Sequence, residues 1–110
     1  MSNGQNHVVV IFNDGNTVAV APGQVVAAKE DTVTFKNITQ SSVVTLVFPD
    51  EDIFKGIATV SLTPESPNTR KRTLTVDTEE MGSYPYTVYH SSSKEFAHAS
   101  IPNIIVYRRD

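Results

Sequence analysis

His90 and His98 stand at the two ends of one polar stretch, and a pair of imidazoles so placed suits zinc, copper(II) or nickel. Glu95 lies between them as an oxygen donor, and His7, the remaining histidine, is a remote third candidate. Two histidines without a defined third ligand make an incomplete site, so an ordinary polar loop is the first reading and a metal at His90 and His98 the second. Ser91, Ser92 and Ser93 beside His90 and Glu95 supply the residue types of a nucleophilic triad. A triad also needs an oriented base and an oxyanion hole, and no nucleophile elbow or glycine-rich phosphate loop accompanies these serines. The expectation is that the chain is not an enzyme. Asp50, Glu51 and Asp52 offer hard oxygens but lack the continued spacing of a calcium loop. Ahead of Ile53 and Phe54 they suit the first turn of a short helix over 51–55, where partial positive charge accumulates.

Other chemistry is removed by composition. The chain has no cysteine, which eliminates disulfides, thiolate nucleophiles and all cysteine-based zinc, iron–sulfur or blue-copper centres. A formal charge of −3 gives no electrostatic case for nucleic acid. The basic runs Arg70-Lys71-Arg72 and Arg108-Arg109 are short and read as a solvated strand and terminus. No tract approaches the ~18 consecutive apolar residues of a membrane span. The start, MSNGQNHVVV, lacks a basic region followed by an apolar one, which leaves the compartment open, and the cytoplasm is one of two readings for the chain as written. The alternative is a periplasmic or secreted mature domain whose export signal has been removed. At 110 residues and 39% hydrophobic content, one domain over 1–110 with one packed core is expected.

The elements that must position these residues are strands. Residues 7–13 are apolar on both faces and read as a buried strand, and Asp14-Gly15 signals a hairpin into 17–21. Pro22-Gly23 turns the chain into extended 25–29, and 32–37 alternates Val33 and Phe35 with polar residues. Val44, Leu46 and Phe48 share one side of a strand over 43–48. Further strands are expected at 58–62, at 70–77 and at 83–90, where Tyr84, Tyr86, Val88 and His90 share a face. A last strand covers 103–108. Eight or nine short strands, with turns about every ten residues, predict an all-β, two-sheet Greek-key sandwich.

Two stretches are similar to the cupredoxin family. Pro22-Gly23-Gln24-Val25-Val26 leading to Lys29-Glu30-Asp31-Thr32-Val33-Thr34-Phe35-Lys36-Asn37 resembles the N-terminal pattern ending in GDTVTFxN, with Glu30 where glycine is usual. Gly82-x-Tyr84-x-Tyr86-x-Val88-Tyr89-His90, the following loop and Ser100-Ile101-Pro102-Asn103-Ile104-Ile105-Val106 resemble the family's C-terminal strand, ligand loop and final strand. The resemblance implies a type 1 copper held by two histidines, a cysteine and often a methionine. The first family histidine falls on Val43 or Ser42, and the cysteine falls on His90. The second histidine corresponds loosely to His98, and no methionine follows it. Without a thiol, type 1 copper is excluded.

The leading expectation is a copper-free, cupredoxin-like binding or structural module without a cofactor. Its partner, a protein or a small ligand, would sit at the end formed by residues 91–100 and the 38–43 loop. The second reading is a protein that binds copper(II) or zinc through His90 and His98.

Overall fold

Alternation of small apolar and polar side chains sets the architecture, because each strand buries every second residue and leaves the next one wet. The computed structural model describes residues 4–15, 17–39, 43–90, 95–96 and 101–108. The strands are β1 (Asn6–Asp14), β2 (Thr17–Ala21), β3 (Gln24–Ala27), β4 (Thr32–Asn37), β5 (Val44–Val47), β6 (Thr59–Leu62), β7 (Lys71–Thr75), β8 (Gly82–Pro85), β9 (Thr87–His90), β10 (Glu95–Phe96) and β11 (Asn103–Val106). A 3-10 turn, Glu51–Phe54, follows β5. Asp50 caps it by accepting a hydrogen bond from the Asp52 backbone N–H at 3.0 Å, and Ile53 and Phe54 are buried beneath it. The acidic triplet therefore does capping work, as its position ahead of Ile53 implies.

The strands hydrogen-bond in the orders β2-β1-β4-β7, β10-β9-β5-β6 and β3-β11-β8. Only Tyr86 separates β8 from β9, so the second and third ladders join along one chain into the layer facing the first. Most pairs are antiparallel, whereas β1 with β4 and β3 with β11 run parallel. The core lies between the layers and takes Val9, Ile11, Val33, Phe35, Val44, Leu46 and Ile104, all with no exposed surface. The sandwich is thus the all-β architecture expected from the strand count.

Three local expectations are corrected. The 83–90 segment is not one strand: its pairing breaks at Tyr86, whose backbone N–H bonds to the Pro102 carbonyl instead. The first strand is not buried on both faces, since Val8 is 40% exposed while Val9 and Ile11 are fully enclosed. Its sheet is covered on one side there, so the second apolar face is half wet. The hairpin pairs Asp14 with Thr17, which puts Asp14 in the ladder rather than in the turn, while Gly15, at φ 65°, stands in the loop as expected. The partner position Asn16 lies outside the described residues.

Five aromatic contacts knit the core around Phe35. Its ring meets Phe48, Phe54 and Tyr86 at centroid distances of 5.7, 6.2 and 5.6 Å, the last two edge to face. Tyr84 and Tyr86 both pack inward, but their hydroxyls fare differently. The Tyr84 hydroxyl donates to the Glu80 carbonyl at 2.7 Å, whereas the buried Tyr86 hydroxyl has no partner among the described residues. Burial holds the Tyr86 phenol neutral to well above the usual tyrosine range.

Tyr86→Phe keeps the ring and removes the unsatisfied group, so it is expected to stabilise the fold by about 1 kcal/mol at neutral pH. The raised phenol adds a sign-specific test. Above about pH 10 the unfolded chain loses this proton while the folded chain keeps it, so stability falls as pH rises. Urea titrations of both proteins across that range should therefore show the variant's advantage widening with pH. A variant less stable than the parent would mean that the hydroxyl is satisfied after all.

Candidate functional site

One end of the sandwich carries the residues with candidate chemistry, and Asn37 organises it. Asn37 ends β4 and is fully buried. Its amide donates to the Leu62 carbonyl of β6 at 2.9 Å, so it ties one layer to the other. Its side-chain oxygen accepts from the Thr39 N–H at 3.0 Å and from the Thr39 hydroxyl at 2.6 Å. This turns the chain sharply at the start of the 38–43 loop. Thr39 is buried by the turn, while Ile38 is thrown outward and is 54% exposed.

β5 re-enters the sheet at Val44, directly opposite His90, the last residue of β9. His90 is 7% exposed and shares its inward face with Tyr84, Tyr86 and Val88, as the alternation predicts. On its other side β10 places the Glu95 backbone opposite His90. His98 and Ser91, Ser92 and Ser93, and with them most of the 91–100 loop, lie outside the described residues.

His7 belongs elsewhere. It sits opposite Val33 near the start of β4, whereas Asn37 and His90 mark the other end, roughly 13 Å further along the strands. There it bonds through Nε2 to Asp31 Oδ2 at 3.0 Å. It is not a third ligand beside His90. No group of three histidine, cysteine, aspartate or glutamate side chains that would hold a metal occurs among the described residues.

Asp31 is the polar feature just ahead of β4 that local sequence pattern does not single out. Its carboxylate is wholly buried and accepts from His7 and from the backbone N–H groups of Gln5 and Ala28, at 2.9 and 3.0 Å for the two amides. Its neighbour Glu30 has φ 79°, a left-handed conformation that costs a side-chain-bearing residue energy. The glycine usual at that place in the resembling pattern thus has a conformational reason, and this chain meets the requirement with glutamate. The one signal available beforehand was that departure from the pattern.

The type 1 ligand set does not fit the residues present. Val43 and the fully buried Val44 offer no donor atom beside His90, and no thiolate exists in the chain. Of the two positions that the resemblance assigns to the first histidine, Val43 carries no donor atom and Ser42 lies outside the described residues.

Comparison with known proteins gives the fold. The sequence matches no protein-family model and none of the curated proteins. Among solved structures, a mutant fern plastocyanin superposes with a TM-score of 0.58 at 17% identity, over 90% of this chain and 98% of that one. The oxidised plastocyanin of Dryopteris crassirhizoma gives 0.53 at 17% identity, over 90% and 98%. Reduced auracyanin from Roseiflexus castenholzii gives 0.53 at 19% identity, over 94% and 98%. The fold is that of the cupredoxins, and at such identities the likeness shows the fold alone.

Proposed function

We propose that this chain is a non-enzymatic binding module built on a cupredoxin-like scaffold, with its contact surface at the end bearing the 38–43 and 91–100 loops. The observation that supports this reading is the pairing of Val44 with His90 at that end, in a chain without cysteine. The scaffold is kept while the donor atoms needed for soft-metal ligation are replaced. Loops at the end of a rigid sandwich change without disturbing the core, so such an end is free to take up another ligand. No described helix is long and apolar enough to cross a membrane.

The second reading, copper(II) or zinc held by His90 and His98, draws support from the β9–β10 pairing that brings the Glu95 backbone opposite His90. One experiment separates the two. Purified protein is loaded with copper(II), zinc or nickel, desalted and analysed for metal. The binding-module reading expects far less than one equivalent retained, with no difference in His90→Ala or His98→Ala. Near-stoichiometric metal that is lost in those variants would replace it with the metal reading.

A further inference from the structure

β4 and β7 set Lys36 directly opposite Lys71, with Arg70 next in the chain. Like charges directly opposed across an antiparallel pair repel one another. None of these three residues makes an ion pair among the described residues, although the chain as a whole is acidic. Together with Ile38 and Pro67 they line an open depression of about 320 Å³. β7 is also the outermost strand of its sheet, so no further strand of that ladder covers its far side. The depression adjoins the Asn37 turn, which is what throws Ile38 outward.

We infer that the Lys36–Arg70–Lys71 face, with Ile38 and Pro67 in its lining, docks an acidic polypeptide segment of a partner protein. The inference rests on the binding-module reading, to which it adds the chemistry of the occupant. Three cations with no ion pair among the described residues, around a small apolar surface, suit a segment with several carboxylates and one apolar side chain. Exposed cations hold a lone small anion weakly, because each such contact is screened by water. A nucleic acid would have to lay its long charge array across the acidic remainder of the surface, whereas a short segment meets only the basic face. Neutralisation by the partner also answers the Lys36–Lys71 repulsion that the free protein carries.

The test uses a short fluorescein-labelled peptide of glutamates and aspartates around one leucine, followed by fluorescence anisotropy at low ionic strength. Binding is expected, weakening as salt is added, and the Lys36→Gln/Lys71→Gln double variant should weaken it about tenfold. Ile38→Ser should weaken binding of the leucine peptide more than that of an all-acidic peptide. These cations are exposed or half-buried, so circular dichroism and Tm should show both variants folded. Peptide affinity unchanged in the double variant would overturn the proposal. Displacement by inorganic phosphate as effective as by unlabelled peptide would make this a small-anion site. Tighter binding of a single-stranded oligonucleotide would make it a nucleic-acid surface. Self-association of the parent protein through this face, lost in the double variant, would assign it to a second copy. Aggregation of the double variant with peptide binding intact would show that the lysines only guard the edge of β7. The metal analysis and this titration have separate readouts, so failure of the docking site leaves the binding-module reading distinguishable from the metal one.

Discussion

Asp31→Ala is expected to cost about 3–5 kcal/mol of folding stability, because it removes a buried acceptor from several donors at once. The carboxylate gathers the Gln5 N–H ahead of β1, the Ala28 N–H after β3 and the His7 ring. Backbone bonds converge on the same point: the Asp31 N–H reaches Ala28, the Thr32 N–H reaches Gln5, and the Val76 N–H reaches the Asp31 carbonyl. The side chain thus ties the start of β1 and the end of β3 to the start of β4, while the backbone of the same residue holds the segment that follows β7, and β3 belongs to the layer opposite the other three. Truncation leaves the Ala28 N–H buried with nothing to bond. Chemical denaturation of Asp31→Ala, Asp31→Asn and His7→Ala separates the contributions. Asparagine keeps one acceptor oxygen and should lose less than alanine. His7 is partly exposed, so its removal should cost about 1 kcal/mol or less. A loss below 1 kcal/mol for Asp31→Ala would show that water or other groups satisfy those amides and that the clamp is not structural.

This clamp also marks where sequence reading reaches its limit. Local alternation fixes which face of a strand is dry, and Val33, Phe35, Val44, Leu46, Phe48, Tyr84, Tyr86, Val88 and His90 are all buried as their spacing implies. The capped turn over Glu51–Phe54 is equally local, since Asp50 and Asp52 meet two residues apart. What escapes is whatever depends on pairing register between distant segments. Asp31 looks like a turn carboxylate until Gln5 and His7, more than twenty residues away, are brought to it by the parallel β1–β4 pair. Arg70-Lys71-Arg72 reads as a solvated strand until register sets Lys71 against Lys36. The interruption at Tyr86 was hidden because alternation runs through it unbroken, while the hydrogen-bond partner changes to Pro102. The absence of a thiolate, by contrast, is legible from residue types alone, since the chain has no cysteine whatever the geometry around His90.

Asn37→Ala is expected to cost about 2–4 kcal/mol, second only to Asp31→Ala, and to blunt docking at the basic face as well. The substitution removes, at a buried place, the bonds that Asn37 makes to the Leu62 carbonyl, the Thr39 N–H and the Thr39 hydroxyl. It also frees the turn that presents Ile38 beside Lys36. Thr39→Val serves as the control, since it deletes the hydroxyl contact and keeps the Thr39 N–H bonded to Asn37. It should cost about 1 kcal/mol and leave peptide affinity close to that of the parent. Denaturation midpoints read the first effect, and acidic-peptide anisotropy under conditions where Asn37→Ala remains folded reads the second. If Asn37→Ala loses stability but binds the peptide as the parent does, Asn37 acts only as a tie between the layers and the position of Ile38 does not depend on it. If both fall together while Thr39→Val spares binding, the turn is what couples the packing of the two sheets to the surface they present.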